Sequence, residues 1–313
     1  MRIAINTRFL LKGRLEGIGH FTREVARRLV AAHPEHEFLF LFDRPWHPDF
    51  VMGPNVQPVQ LFPPARHPLL FMAWFEWAVP RALRRLGADV FVSPDNFCSL
   101  RTPVPTVLVI HDLAYRHFPE QVPWAHRQYY RHFMPRFARR ADRIVTVSEY
   151  TRQDVLGAYG IAPERVAVAC NGCRPIFRPL SENEQQAVRD RYAGGQPYFL
   201  FVGAVHPRKN VHRLIAAWDR FRKMTGAPVK LLIGGRFAWQ TGPVRTAWEQ
   251  ATHRDDIVFL GYLDEDELPA ITGAAFALTY TSLFEGFGVP LLEAMHCDVP
   301  LIASNVSSMP EVA

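Results

Sequence analysis

Cysteine is scarce in this chain. Four residues in 313 (Cys98, Cys170, Cys173, Cys297) are too few for a disulfide scaffold, and a reducing, cytoplasmic setting fits that usage. Long apolar runs are missing too: the stretch from Phe71 to Val79 is short and interrupted, which excludes a membrane-spanning helix there. No secretory leader is expected, because Met1-Arg-Ile-Ala-Ile-Asn6 reads as a strand that starts at once. Repeats and low-complexity tracts are absent, as are the Gly-x-Ser-x-Gly and His-Glu-x-x-His patterns that carry a serine nucleophile or a catalytic zinc. Cys170-Asn-Gly-Cys173 has the spacing of a redox or zinc pair, but no second pair follows.

What is present is an ordinary globular composition, 48% hydrophobic and 21% charged, at a length that suits two domains. The net charge of +6 is unevenly shared: residues 1–175 hold 23 Lys and Arg against 15 Asp and Glu, and the remainder 13 against 15. A basic first half suggests an anionic partner, namely a membrane surface, a charged acceptor or nucleic acid; a merely solubilising surface gives the same count. The basic residues are dispersed and form no nucleic-acid module, so no nucleic-acid partner is expected.

Short β-branched or aromatic runs alternate with amphipathic stretches. The first set of strands is expected at Arg2–Asn6, Glu37–Phe42, Asp89–Ser93, Thr106–His111, Arg143–Ser148 and Arg165–Cys170. A second set follows at Tyr198–Gly203, Val229–Gly234, Ile257–Gly261, Phe276–Thr279 and Pro300–Ser304. Helices are expected over Gly19–Ala31, Trp124–Arg140 and 181–193, and Asn171–Pro179, rich in turn formers, reads as a linker. The fold class is α/β, with two Rossmann-like, doubly wound parallel-sheet domains facing a cleft, residues 1–175 and 176–313. Ligands in such sheets sit beyond the carboxyl ends of the strands.

The strand exits hold the chemistry. The first leads to Gly17-Ile-Gly19 at a helix start, where backbone N–H groups can approach an anion. Thr106–Ile110 leads to His111-Asp112, a pair able to bond a sugar hydroxyl or move a proton. Tyr198–Val202 leads to Gly203-Ala-Val-His-Pro-Arg208-Lys209-Asn210, whose adjacent cations suit a diphosphate. The strongest constellation is Glu285-Gly-Phe287-Gly288-Val289-Pro290-Leu-Leu-Glu293. Its glycines free backbone amides to meet oxygen ligands, Pro290 suits a first helical turn, and the two carboxylates can each grip a pair of hydroxyls.

Other stretches have plainer readings. Asp264-Glu-Asp266 matches a metal-binding pattern but opens a helix, where acids act as caps, so no metal site is expected. Phe71–Pro80 reads as a core-packing helix ended by its proline. The arginine-rich segment 126–143 reads as a helix packed by one apolar face, with a membrane-surface helix as the alternative.

Glu285-Gly-Phe-Gly-Val-Pro-Leu-Leu-Glu293 resembles the two-glutamate motif of glycosyltransferase family 4, retaining enzymes of the GT-B fold. Gly17-Ile-Gly19, Ile110–Tyr115, Val147–Thr151, Asn171-Gly172 with Phe177-Arg-Pro179, Pro207-Arg-Lys-Asn210 and Gly261-Tyr-Leu263 occur in family order, so the resemblance runs over essentially the whole chain. It implies a hexose transfer, with mannose from GDP-mannose the first candidate, from a GDP- or UDP-linked donor to a glycan or lipid-linked acceptor, without metal or other cofactor. Glu285 is implied to bond the sugar hydroxyls and Glu293 the ribose. Amides around Phe287, Gly288 and Val289 would meet sugar and phosphate oxygens, while Lys209 and Arg208 neutralise the diphosphate. His111 would face the sugar's outer hydroxyl, Tyr262 would read the base through its backbone, and Gly17 and Gly19 would line the cleft. Localisation is expected to be cytoplasmic, with peripheral contact at an anionic membrane. Two departures stand out: Ala204 replaces an arginine common in the family, and the second domain reads as incomplete after Ser307–Ala313. That implies lowered stability, and makes a binding or scaffold protein that keeps the fold without turnover the rival reading.

Overall fold

In the computed structural model, residues 1–13, 15–65, 67–238 and 241–313 are described. The chain divides into two compact units, Met1–Cys170 and Asn171–Ala313. In the first, strands β1 (Arg2–Asn6), β2 (Glu37–Phe42), β3 (Val56–Gln60), β4 (Val90–Ser93), β5 (Thr106–Ile110), β6 (Arg143–Thr146) and β7 (Val166–Val168) form one parallel sheet in the order β3-β2-β1-β4-β5-β6-β7. Its helices are α1 (Gly17–Ala32), α2 (Pro68–Ala73), α3 (Val79–Arg85), α4 (Ala114–His117), α5 (Trp124–Arg140) and α6 (Glu149–Tyr159). The second unit holds β8 (Tyr198–Val202), β9 (Lys230–Gly234), β10 (Ile257–Gly261), β11 (Ala277–Tyr280) and β12 (Leu301–Ala303), parallel, in the order β10-β9-β8-β11-β12. Around them lie α7 (Glu182–Ala193), α8 (Val211–Thr225), α9 (Gly242–Gln250), α10 (Glu267–Gly273), α11 (Val289–His296) and α12 (Met309–Val312). Both units are therefore doubly wound α/β domains.

A sheet covered on both faces needs strands that are apolar on both. In β2, Leu39 and Leu41 enter one core of the first unit while Phe38, Phe40 and Phe42 enter the other. In the second unit Leu200 and Leu232 face one core, and Phe199, Phe201, Leu231 and Ile233 the other. Local signals cap the helices. The Ser148 side chain accepts from the Thr151 amide, Ser181 and Glu184 form a capping box, and Gly160 and Gly194 end their helices in the left-handed region.

Two features depart from the sequence reading. β3 was missed because Val56-Gln-Pro-Val-Gln60 is half polar and carries a proline, a combination that an edge strand tolerates. Pro80 does not end its helix. The turn over Trp74–Ala78 is π-helical, with the Val79 amide reaching back to the Trp74 carbonyl, and this widening accommodates a residue that lacks an amide hydrogen. Ser308 stands directly before the short α12 and makes no side-chain cap there. The arginine-rich α5 packs by Met134, Phe137 and Ala138 into the core of its unit. Among the described residues no helix is long and apolar enough to cross a membrane.

Candidate functional site

In the second unit the strand order reverses between β8 and β11, and the two exits that flank this switch point carry the sequence-predicted residues. Past β8 the chain turns through Gly203, at a φ of 144°, and a 3₁₀ turn over Pro207–Lys209. Gly235 at the β9 exit comes so close that a Cβ there would lie 2.0 Å from the Gly203 carbonyl oxygen, so this crossing admits only glycine. The 3₁₀ turn is tied to the β11 exit by one backbone and one side-chain hydrogen bond: the Leu283 amide donates to the Arg208 carbonyl at 2.8 Å, and Asn210 Nδ2, just past the turn, donates to the Thr281 carbonyl at 3.2 Å.

That lacing brings Arg208, Lys209 and Glu285 together. Lys209 Nζ is ion-paired with Glu285 Oε1 and donates to the Tyr280 hydroxyl at 2.9 Å. Arg208 Nη1 donates to the Phe284 carbonyl and lies 3.3 Å from Glu285 Oε2. Lys209 and Glu285 are both buried. Burial pushes the Glu285 carboxyl up, but Lys209 and Arg208 outweigh it and hold the group down to about 2. Burial keeps the Tyr280 phenol far above its usual range, hence neutral. Burial and then the two cations push His206 down to about 4; its Nδ1 accepts from the Arg208 amide at 3.3 Å.

The loop after Glu285 is held from behind. The Glu285 amide donates to Ser307 Oγ at 2.9 Å, and the buried Ser308 hydroxyl lies 3.0 Å from the Glu285 carbonyl oxygen and 2.9 Å from that of Phe287. This work, rather than capping, is what Ser308 does. Gly288, at a φ of 107°, leads into α11, which no side chain caps. The first-turn amides of α11 thus make a terminus suited to an oxyanion, with Val289 and Pro290 at its start. Glu293 lies in the second turn, buried, and its recorded partner is Arg174 Nη2 at 3.5 Å. Burial raises its carboxyl to about 7 against the pull of Arg174. Tyr262, half exposed, follows Gly261 at the end of β10. Asp264 acts as a cap: its Oδ1 accepts from the amides of Asp266 and Glu267 at 3.1 and 2.9 Å.

In the first unit the order reverses between β1 and β4. Here sequence reasoning missed a buried polar network. Asn6 Nδ2 donates to Ser93 Oγ at 3.1 Å and to Asp95 Oδ2 at 2.8 Å, and Arg8 is ion-paired with Asp95. The Arg8 guanidinium is packed against Phe9 at 4.4 Å and Phe71 at 4.9 Å. His111, beyond β5, donates from Nε2 to the Pro94 carbonyl at 2.8 Å, and its amide donates to Asn96 Oδ1 at 2.7 Å. Burial lowers its pKa, so the ring is neutral at pH 7 and Nδ1 is left as the acceptor. Gly17 opens α1, and at Gly19 a Cβ would lie 2.8 Å from the Phe9 carbonyl oxygen, so Gly19 serves close packing. Among the described residues one group has metal-ligating spacing, His33, Glu35 and His36 in the turn before β2, apart from every residue named above.

Residues 15–175 match the family model described as Glycosyltransferase Family 4, and residues 183–313 that described as Glycosyl transferases group 1. The O-antigen chain mannosyltransferase B of Escherichia coli is 30% identical over 96% of this chain and 82% of its own length. The solved structure of WaaG, a glycosyltransferase involved in lipopolysaccharide biosynthesis, aligns with a TM-score of 0.77 at 18% identity, covering 99% of this chain and 83% of its own. Anabaena HepE, solved in complex with UDP and glucose, aligns at 0.74 and 17%, covering 99% and 82%.

Proposed function

The chain belongs to glycosyltransferase family 4, and from that premise we propose that it moves a hexose from a nucleotide sugar to a glycan or lipid-linked acceptor with retention of configuration. The observation that carries this is the buried Lys209–Glu285 pair with the half-buried Arg208 at the β8–β11 switch point, and Glu293 one helix turn into α11. A carboxylate held ionised beside two cations does two jobs there. Glu285 accepts hydroxyl hydrogens of the sugar, and Lys209 with Arg208 takes up the charge that develops on the leaving diphosphate. Amides at Phe287, Gly288 and Val289 meet phosphate and sugar oxygens at the start of α11. Glu293 accepts from the ribose hydroxyls, and backbone near Tyr262 reads the base.

The bond from the anomeric carbon to the diphosphate oxygen breaks while the acceptor oxygen bonds the same face. The acceptor's proton passes to the departing diphosphate oxygen, so no protein nucleophile is assigned and no metal is needed for the charge balance. His111, neutral and accepting at Nδ1, receives a hydrogen bond from an outer hydroxyl of the sugar, with Gly17 and Gly19 at the same domain's first strand exit. Mannose from GDP-mannose is the donor of choice, which the similarity to the E. coli O-antigen mannosyltransferase supports. A panel of GDP- and UDP-sugars tests the proposal. Nucleotide release with one donor, lost in Glu285→Ala, is expected; equal release by the variant would sink it.

The setting proposed is cytoplasmic, with peripheral contact at an anionic membrane. What supports the contact is a cavity of about 770 Å³ in the first unit, lined by Phe62, Trp77, Arg81 and Arg85 among others. Phe62 and Trp77 are exposed at 84% and 51%, and apolar tips beside arginines suit an anionic interface. Sedimentation with phosphatidylglycerol vesicles but not phosphatidylcholine vesicles is expected, and Trp77→Ser should weaken it.

A further inference from the structure

Arg174 carries no task in the mechanism above, yet its placement is unusual. It lies in the segment between β7 and α7, with a side chain only 13% exposed. Nη2 is 3.5 Å from Glu293 Oε1 and Nη1 3.8 Å from Glu265 Oε2, and the buried Phe177 ring lies 5.1 Å from the guanidinium carbon. Nη1 is buried without a hydrogen-bond partner among the described residues. A guanidinium placed only to stabilise the fold would saturate its nitrogens, because an unmet buried donor is costly. This one spans two carboxylates at long range, and one of them is the glutamate assigned to the ribose.

We propose that Arg174 is a positioning residue for the donor: it orients the Glu293 carboxylate and supplies the cation that faces it, so that both ribose hydroxyls find an acceptor. The proposal rests on the ribose assignment of Glu293. The groups that face Glu293 leave Arg174 as its cation. Cys173 beside Arg174 and Cys297 after α11 have thiols pushed up to about 11, chiefly by burial and also by Glu293, so both are neutral. Tyr280 at the end of β11 is a neutral phenol, and Glu265, before α10, is a further acid sharing the same arginine. Burial opposes ionisation of Glu293, and Arg174 is what counters it. A protonated carboxyl turns one oxygen into a donor and accepts from two hydroxyls more weakly than the carboxylate does.

The test is calorimetric titration of GDP and UDP, and of their 2′-deoxy counterparts, into wild type, Arg174→Met, Arg174→Lys and Glu293→Gln from pH 7 to 9. Arg174→Met should bind the ribonucleotide about fivefold more weakly at pH 7 and recover toward wild type by pH 9, moving the midpoint of the pH profile up by about one unit. Arg174→Lys should keep most of the affinity, the 2′-deoxy nucleotide should lose most of the pH effect, and kcat at saturating donor should stay within about twofold. Weakening by Arg174→Met that is equal at every pH, or equal for the deoxy nucleotide, overturns the positioning role. If Arg174→Met does not fold, an Arg174→Lys profile with the midpoint moved up supports the role and one identical to wild type in strength and midpoint overturns it. If Glu293→Gln binds as wild type does, the ribose assignment falls; if it weakens while Arg174→Met titrates as wild type, only the role of Arg174 falls.

Discussion

Replacing Lys209 with methionine removes the cation nearest Glu285 and leaves the carboxylate buried. In the native protein that carboxyl is held from its usual 4.5 down to about 2, against the opposing effect of burial. At about 1.4 kcal/mol per pH unit, this depression is worth about 3 kcal/mol at neutral pH. The sign follows from a lowered pKa: the contribution is fully present above about 4.5 and is lost as the pH falls toward 2. In Lys209→Met the carboxylate stays buried with only Arg208 to offset the loss of water, so the second unit should lose about 3–5 kcal/mol at pH 7, as when one partner of a buried pair is deleted. Adding Glu285→Gln removes the stranded charge and should restore most of that loss, a coupling that a double-mutant cycle isolates. Urea unfolding read by hydrogen exchange at β8 and β11 amides reports this unit alone. A Lys209→Met protein within about 0.5 kcal/mol of wild type at pH 7, or a double variant no better than the single one, would refute the reasoning.

Other expectations follow from the same geometry. Gly235→Ala sets a methyl against the Gly203 carbonyl at a positive φ, so thermal unfolding should show the second unit destabilised by more than about 3 kcal/mol. Ser308→Ala removes the hydroxyl between two carbonyls behind Glu285 and should cost about 1–2 kcal/mol in denaturant melts, with slower turnover. Glu293 has a raised pKa, so folding stability should fall as pH rises from 4.5 to about 7 while ribonucleotide affinity rises toward and through 7, and both trends should vanish in Glu293→Gln. Asp95→Leu strands Arg8 and Asn6 in the first unit and should cost about 3 kcal/mol or more there, read as a lowered Tm.

Most of what could be read along the chain was local. Alternating strand and helix patterns gave both doubly wound sheets, and the residues at strand exits gave Lys209, Arg208, Glu285 and His111, because chemistry beyond a strand end needs only the strand to be recognised. β3 escaped because an edge strand has no need of a continuous apolar run. The remaining partners depend on which strands are neighbours. Asn6 and Asp95 are 89 residues apart and meet only because β1 pairs with β4. Tyr280 lies one residue past the strand expected at Phe276–Thr279, and only the β8–β11 pairing sets its hydroxyl against Lys209. Arg174, in a segment that reads as a plain linker, acquires meaning only when that segment packs against α11. Ser308 stands at the start of α12, but its bonds to the Glu285 and Phe287 carbonyls depend on a loop 21 to 23 residues earlier and have no local signal.

The central claim is that the Lys209–Glu285 cluster transfers a sugar from a nucleotide donor. The most direct measurement is time-resolved NMR of the anomeric proton with GDP-mannose, then UDP-sugars, and a mannose-ended oligosaccharide acceptor, for wild type and Glu285→Gln. The account predicts a product with the donor's anomeric configuration and a rate lower by about 100-fold or more in the variant. An inverted product, equal rates in the two proteins, or no transfer from any donor would contradict it.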